Sequence, residues 1–340
     1  MTDNNPIRVG VLGAGRIGKI HARNLATAIP GARVVAIADP VYEPARELAG
    51  QLNVPLATAN YREIIDNPEI DAVAVCSSTN THAQMIIEAA RAGKQIFCEK
   101  PIAYDLKKID EALNAAEKAG VLLQIGFNRR FDPNFKKVRE MVAAGKVGNP
   151  QILRITSRDP APPPIEYVKV SGGLFFDMTI HDFDMSRYLM GADVEEIYAA
   201  GGVLVDPRIG EVGDIDTAVV TLYFKNGAIG AIDNSRKAAY GYDQRVEVFG
   251  SAGMVSVENE TPDRAVFSDA AGIQSAKPLY FFLERYAQSF LDEMTQFIQC
   301  IQQGAQPPVT GADGRAPVVM ALAATKSLKE HRPVKLSEVD

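Results

Sequence analysis

Histidine is scarce in this chain, with four in 340 residues, and cysteine is scarcer, with three. Cys76, Cys98 and Cys300 are widely separated and odd in number, a pattern that excludes a disulfide framework and matches no zinc-ligand spacing. Basic charge is also in short supply. A net charge of -6 without any run of Lys or Arg supplies no attractive field for a phosphate backbone or an anionic membrane, so neither nucleic acid nor membrane is an expected partner. No stretch is apolar for the length a bilayer needs, and the opening MTDNNPIRVG lacks the basic start and apolar run of a signal peptide; a cytoplasmic protein is expected. Internal repeats and low-complexity tracts are missing too, PAPPP at 160–164 being a rigid connector.

What is present suits two folded domains. The length exceeds the size at which a single core usually stops growing, and 46% hydrophobic with 23% charged residues is a globular composition. From residue 7 to about 126, the runs IRVGVLG, ARVVAIAD, AVAVCS, KQIFCEK and VLLQIGF alternate with amphipathic stretches such as THAQMIIEAARAG and LKKIDEALNAAEKAG, which stop at Gly93 and Gly120. That alternation predicts βαβ units and a parallel sheet. After residue 126 one helical stretch, FDPNFKKVREMVAAGKVG, is followed by extended segments linked by turns. In DTAVVTLYFKNGAIGAIDNS, Asn226-Gly227 separates two alternating runs as a type I′ hairpin turn would. The predicted organisation is an α/β Rossmann domain at 1–126 and an α+β domain with a large, mostly antiparallel sheet at 127–340. Helices are expected near 284–303 and 314–330, the C-terminal one able to pack back on the first domain.

The stretch VGVLGAGRIGKIHARNL sets Gly13, Gly15 and Gly18 in a G-x-G-x-x-G pattern between a strand and a helix. The first glycine makes the tight turn, the second lets backbone approach a pyrophosphate, the third lets helix and strand pack, and the helix N-terminus faces the negative charge. With them, Arg16 and Ile17 are expected at the cofactor. The next strand closes on Asp39, at the distance where an acid bonds the ribose 2′-hydroxyl. A carboxylate there repels a 2′-phosphate, and Pro40-Val41 supplies no adjacent arginine, so NAD is favoured over NADP; the plain alternative for Asp39 is a helix cap. Ser78, Thr79, Asn80 and His82 follow the AVAV strand at the sheet's carboxyl edge, where they could touch ribose or nicotinamide, while Thr81 is expected to cap the next helix.

The strand KQIFCEK ends in Glu99, Lys100 and Pro101 on the same edge. A lysine leaving an apolar strand needs solvent or a task, and Pro101 restricts the residue before it to extended geometry. In SGGLFFDMTIHDFDM, a helix over 174–190 would place Asp177, His181 and Asp184 at i, i+4 and i+7 on one face. Three readings compete there: a structural histidine bonded to Asp177, a metal site, and a general base. No third histidine or cysteine ligand stands nearby, so no metal is expected. The dinucleotide motif favours the base, because removing hydride from an alcohol carbon requires a group to take the hydroxyl proton.

GAGRIG, the strand end at Asp39, EKP at 99–101, GFNRRFDP at 126–133 and SGGLFFDMTIHDFDM together resemble the glucose-fructose oxidoreductase and inositol dehydrogenase (Gfo/Idh/MocA) family over nearly the whole chain. The resemblance implies an NAD-dependent oxidoreductase that oxidises a secondary ring hydroxyl of a cyclic polyol or sugar, with myo-inositol to scyllo-inosose (2-keto-myo-inositol) as the expected reaction. It implies Lys100, Asp177 and His181 as the catalytic set, with His181 the proton acceptor, and Glu99 among the cofactor residues. It further implies Asn128, Arg130, Asp159 and Tyr240 along the sugar pocket, and a homo-oligomer, dimer or tetramer, formed on the open face of the second sheet. Rivals are a scyllo-inositol or aldopyranose dehydrogenase of the same family, a non-catalytic nucleotide-responsive regulator, and a metal-dependent lyase or hydrolase.

Overall fold

β-Branched runs bounded by glycine turns build the first of two compact units. In the computed structural model, which describes residues 5–340, this unit runs to Phe131 and takes back Gln288–Ala316; Asp132–Ala287 and Pro317–Asp340 make the second. The sequence signals mark one boundary near 126, because the segment that returns carries no motif and is tied in by packing and by long-range bonds such as Ile125 N–H to the Val309 carbonyl.

Six strands form the sheet of the first unit: β1 (Ile7–Leu12), β2 (Ala32–Ala38), β3 (Leu56–Thr58), β4 (Ala72–Val75), β5 (Gln95–Glu99) and β6 (Leu123–Gly126). They lie parallel in the order β3-β2-β1-β4-β5-β6. The order reverses between β1 and β4, and ligands bind at the carboxyl side of such a switch. β4 and β6 are buried at every residue, as strands covered on both faces must be. Val9, Val11, Ile37, Leu48 and Phe97 share one core cluster with Met294, Phe297 and Ile298 of the Ala287–Gln303 helix. Each of these large side chains contributes about 1.5–3 kcal/mol by burial.

The second unit holds seven strands: β7 (Pro150–Arg158), β8 (Val194–Gly202), β9 (Thr217–Phe224), β10 (Ile229–Ser235), β11 (Asp243–Gly250), β12 (Gly253–Val257) and, after a separate hairpin of β13 (Val266–Asp269) and β14 (Gly272–Ser275), β15 (Val334–Lys335). Their order is β12-β11-β7-β10-β9-β8-β15, antiparallel except for β10 with β7. Along β9 every second residue is buried, the mark of a sheet covered on one face only. The β9–β10 hairpin forms where Asn226-Gly227 predicts it, with a different turn. Gly227 has φ +86°, Asn226 does not reach positive φ, and the Gly227 N–H donates to the Phe224 carbonyl at 2.9 Å. This is a type I turn closed by a left-handed glycine, which a three-residue loop accommodates and a type I′ turn does not.

Candidate active site

In the first unit the glycine loop is fitted to its own backbone and leaves one side clear. Gly13 has φ +113°, and a Cβ there would lie 2.6 Å from the Cys76 carbonyl oxygen; a Cβ at Gly18 would collide with the Gly13 carbonyl. At Gly15 a Cβ would meet no protein atom within 4 Å, so the neighbouring chain does not impose glycine there, whereas close approach of a pyrophosphate would. The Arg16–Thr27 helix starts on this turn, carrying Arg16 and Ile17. Asp39 accepts from the Ala14 N–H at 2.8 Å and from the Val41 N–H at 2.9 Å. Its carboxylate therefore ties the glycine loop to the end of β2 and caps no helix through its side chain. A glycine loop left open at Gly15, a helix N-terminus and a carboxylate at the adjacent strand end together fit a dinucleotide.

After β4, Ser78 and Asn80 are exposed and Thr79 opens the Thr79–Arg91 helix. Thr81 does not cap it: its hydroxyl donates to the Ser78 carbonyl and pairs with the Ser77 hydroxyl at 2.7 Å. His82 departs from expectation as well. It is 1% exposed, with Nδ1 2.9 Å from the Pro101 carbonyl and Nε2 3.0 Å from the Ser77 carbonyl. Both ring nitrogens are thus spent on backbone, and burial pushes its pKa down against the pull of those carbonyls. Glu99 closes β5, and its carboxylate accepts from His21 Nε2 at 2.7 Å. Lys100 follows, half-buried. In the Asn128–Phe131 turn Asn128 is buried, while Arg130 pairs with Asp313 at 3.0 Å.

In the second unit Gly172 and Gly173 take positive φ, 84° and 88°. Phe175–Thr179 is a π-helical turn running into the Ile180–Met190 α-helix. The even helical face predicted for Asp177 and His181 is therefore broken by a wider turn, a distortion that recurs at functional sites. Asp177 accepts from the Tyr167 hydroxyl at 2.8 Å and from Arg236 Nη1 at 3.0 Å. Arg236 is 1% exposed and also lies 3.5 Å from Asp214, so one buried guanidinium serves two carboxylates. Asp214 in turn accepts from the Leu174 N–H at 2.9 Å, fixing the entry to the π turn. Asp182 and Asp184 are buried; Asn234 of β10 donates to Asp182 at 2.8 Å and accepts from Thr179 at 2.6 Å. Asp159 is partly buried, its N–H donating to the Ser235 carbonyl. The Tyr240 hydroxyl donates to Asp243 at 2.6 Å and accepts from Arg158 at 3.0 Å. Sequence reasoning missed Tyr167 and Arg236. An arginine directly behind the β10 strand end, in NSRKAA, was the available signal.

The buried histidine and two acids His21, Glu99 and Glu293 are the one group of potential metal ligands in register among the described residues, with ligand atoms within 4.8 Å of one another. Asp177 and His181 are not part of such a group. No helix among the described residues is long and apolar enough to cross a membrane.

Residues 7–127 match the family model of the NAD-binding Rossmann-fold oxidoreductases, and residues 135–256 match that of the GFO/IDH/MocA C-terminal domain. A myo-inositol 2-dehydrogenase of Thermotoga maritima is 53% identical over 98% of this chain and 99% of its own length. The crystal structure of a probable dehydrogenase from Thermotoga maritima superposes with a TM-score of 0.96 at 53% identity, covering 98% of this chain and 100% of that one. The structure of scyllo-inositol dehydrogenase from Lactobacillus casei with bound NAD(H) and scyllo-inositol gives 0.92 at 30% identity, covering 98% and 100%.

Proposed function

This chain belongs to the GFO/IDH/MocA oxidoreductase family, and on that premise we propose that it oxidises myo-inositol to scyllo-inosose with NAD. The observation that carries the proposal is the end-to-end likeness to a myo-inositol 2-dehydrogenase, in a chain that holds Lys100, Asp177 and His181 in the segments expected to act. NAD, when bound at the glycine loop, supplies the hydride acceptor, nicotinamide C4. His181 takes the proton of the reacting hydroxyl. Lys100 and Asp177 hold and polarise the reacting oxygen, and Tyr167 and Arg236 hold Asp177 in place. The substrate thus loses a hydride from carbon and a proton from oxygen, leaving a ketone. Asp39, already bonded to the glycine loop, would receive the ribose 2′-hydroxyl and disfavour NADP. Asn128, Arg130, Asp159 and Tyr240 are assigned to the polyol side.

Three further expectations belong here. A cytoplasmic location fits three free, buried cysteines. A homo-oligomer fits the open face of the second sheet, where Tyr223, Ile229, Ile152, Phe249 and Met254 align across β9, β10, β7, β11 and β12. A second substrate, scyllo-inositol, is favoured by the likeness to the scyllo-inositol dehydrogenase. Assay of NADH formation with a panel of inositols and aldopyranoses, with NAD and NADP in parallel, tests the substrate. Fastest turnover is expected with myo-inositol and NAD. Lys100→Ala and His181→Ala should each lose about 10²-fold or more in kcat while still binding NADH; turnover like the parent's in both would remove the catalytic assignment.

A further inference from the structure

Lys100 stands between two residues that are each bonded to a buried histidine. On its N-terminal side the Glu99 carboxylate accepts from His21 Nε2 at 2.7 Å, and a Cβ at Gly126, the cross-strand partner of Glu99, would come 3.0 Å from Glu99 Oε2. A side chain there would crowd the carboxylate, which glycine leaves room to turn inward. On the C-terminal side the Pro101 carbonyl lies 2.9 Å from His82 Nδ1. Both imidazoles are buried, His21 in the Arg16–Thr27 helix and His82 in the Thr79–Arg91 helix. His21 packs edge-on against Phe97 and Phe290, with ring centroids at 5.0 Å and 5.8 Å, which leaves it no freedom to follow a moving strand end.

Glu293 of the Ala287–Gln303 helix completes the arrangement. It is fully buried, neither carboxylate oxygen has a hydrogen-bond partner, and its ligand atoms lie within 4.8 Å of those of His21 and Glu99. Burial, then the neighbouring Glu99, pushes its pKa well up, which favours the neutral acid beside the Glu99 carboxylate. Burying this many polar groups costs several kcal/mol if they do nothing for one another, and His21, His82 and Glu293 are each 1% exposed or less.

We propose that His21, His82 and Glu293 are positioning residues that hold Lys100 from both sides, His21 and Glu293 through the Glu99 carboxylate and His82 through the Pro101 carbonyl. A lysine side chain has four rotatable bonds, so its ammonium is placed only as well as the backbone that carries it; a displacement of about 1 Å can cost about 10²-fold in rate. Two pins on adjacent residues remove that freedom from the backbone.

The inference rests on the reading of Lys100 as catalytic, and the test separates the two. His21→Leu and His82→Leu remove one pin each at little cost in volume. Each is expected to lower kcat about 10- to 100-fold while KM for myo-inositol and for NAD, and NADH affinity, stay within about threefold. His21→Gln and His82→Asn, whose amides can donate from nearly the same place, should recover kcat to within about fivefold of the parent. His21→Asn, whose shorter amide stops short of the Glu99 carboxylate, should behave like His21→Leu should the leucine variants not fold. Parental kcat in His21→Leu, His82→Leu or His21→Asn beside an inactive Lys100→Ala would overturn the positioning role alone. An active Lys100→Ala would instead overturn the reading beneath it. A divalent ion that copurifies one to one with the parent and is lost from Glu293→Gln would also overturn the brace, making the three side chains ligands.

Discussion

Arg236 decides more at the level of single residues than any motif does. Its guanidinium, 1% exposed, faces Asp177 and Asp214, and removing one partner of a buried ion pair strands the rest without compensation. Arg236→Met is therefore expected to cost about 3–5 kcal/mol of stability, read from chemical denaturation. Turnover should fall with it, because Asp177 would lose the guanidinium that donates to its carboxylate. Stability within experimental error of the parent would mean that the two carboxylates do not depend on this cation. Lys for Arg should not rescue it, since a single ammonium cannot span two carboxylates as a planar fork does.

Among the elements, the Ala287–Gln303 helix is distinctive: it follows the second unit in sequence yet fills the core of the first. Its Phe297 is fully buried and meets Phe97 edge-on at 5.9 Å. Phe297→Ala should leave a cavity and destabilise the protein by about 3–5 kcal/mol, measured as a shift in the urea midpoint. NADH binding should weaken in parallel, because the sheet that carries the glycine loop loses part of its support. An unshifted midpoint would mean that the helix adds little to this core. The π turn at Phe175–Thr179 is an element of the opposite kind. Periodicity read from SGGLFFDMTIHDFDM predicts a regular helix there, since hydrophobic spacing cannot register one extra residue per turn. The Asp214 bond to the Leu174 N–H and the Thr179 bond to Asn234 are long-range contacts that select the wider turn.

For the molecule as a whole, acid and association are the tests. Burial by itself would raise the Asp216 carboxyl, but the backbone N–H groups of Leu204, Asp206 and Val205 hold it below its ordinary value. Burial likewise opposes Asp243, which Arg245, Tyr240 and Asn259 hold down. A carboxylate whose folded pKa lies below its unfolded one contributes stability above the unfolded value and loses it as pH falls through the folded value. Calorimetric unfolding midpoints should accordingly drop below about pH 4, and drop less in an Asp216→Asn/Asp243→Asn variant. The row of Tyr223, Ile229, Phe249 and Met254, each exposed by 43% or more, should be covered in a homo-oligomer. Ile229→Asp is expected to lower the mass seen by sedimentation without loss of fold; an unchanged mass would place the contact elsewhere.

Much of the first unit was legible in the residues themselves. A glycine turn, a β-branched apolar run and a carboxylate at a strand end are decided by neighbours a few positions apart, which is why the parallel sheet and the NAD-binding family could be read from the chain alone. Inward bonding of His82, the return of 288–316 to the first core, and the gathering of His21, Glu99 and Glu293 into one buried cluster could not. They depend on which helix packs against which strand, and that choice is settled by the burial of side chains far apart in sequence rather than by any local preference of the backbone.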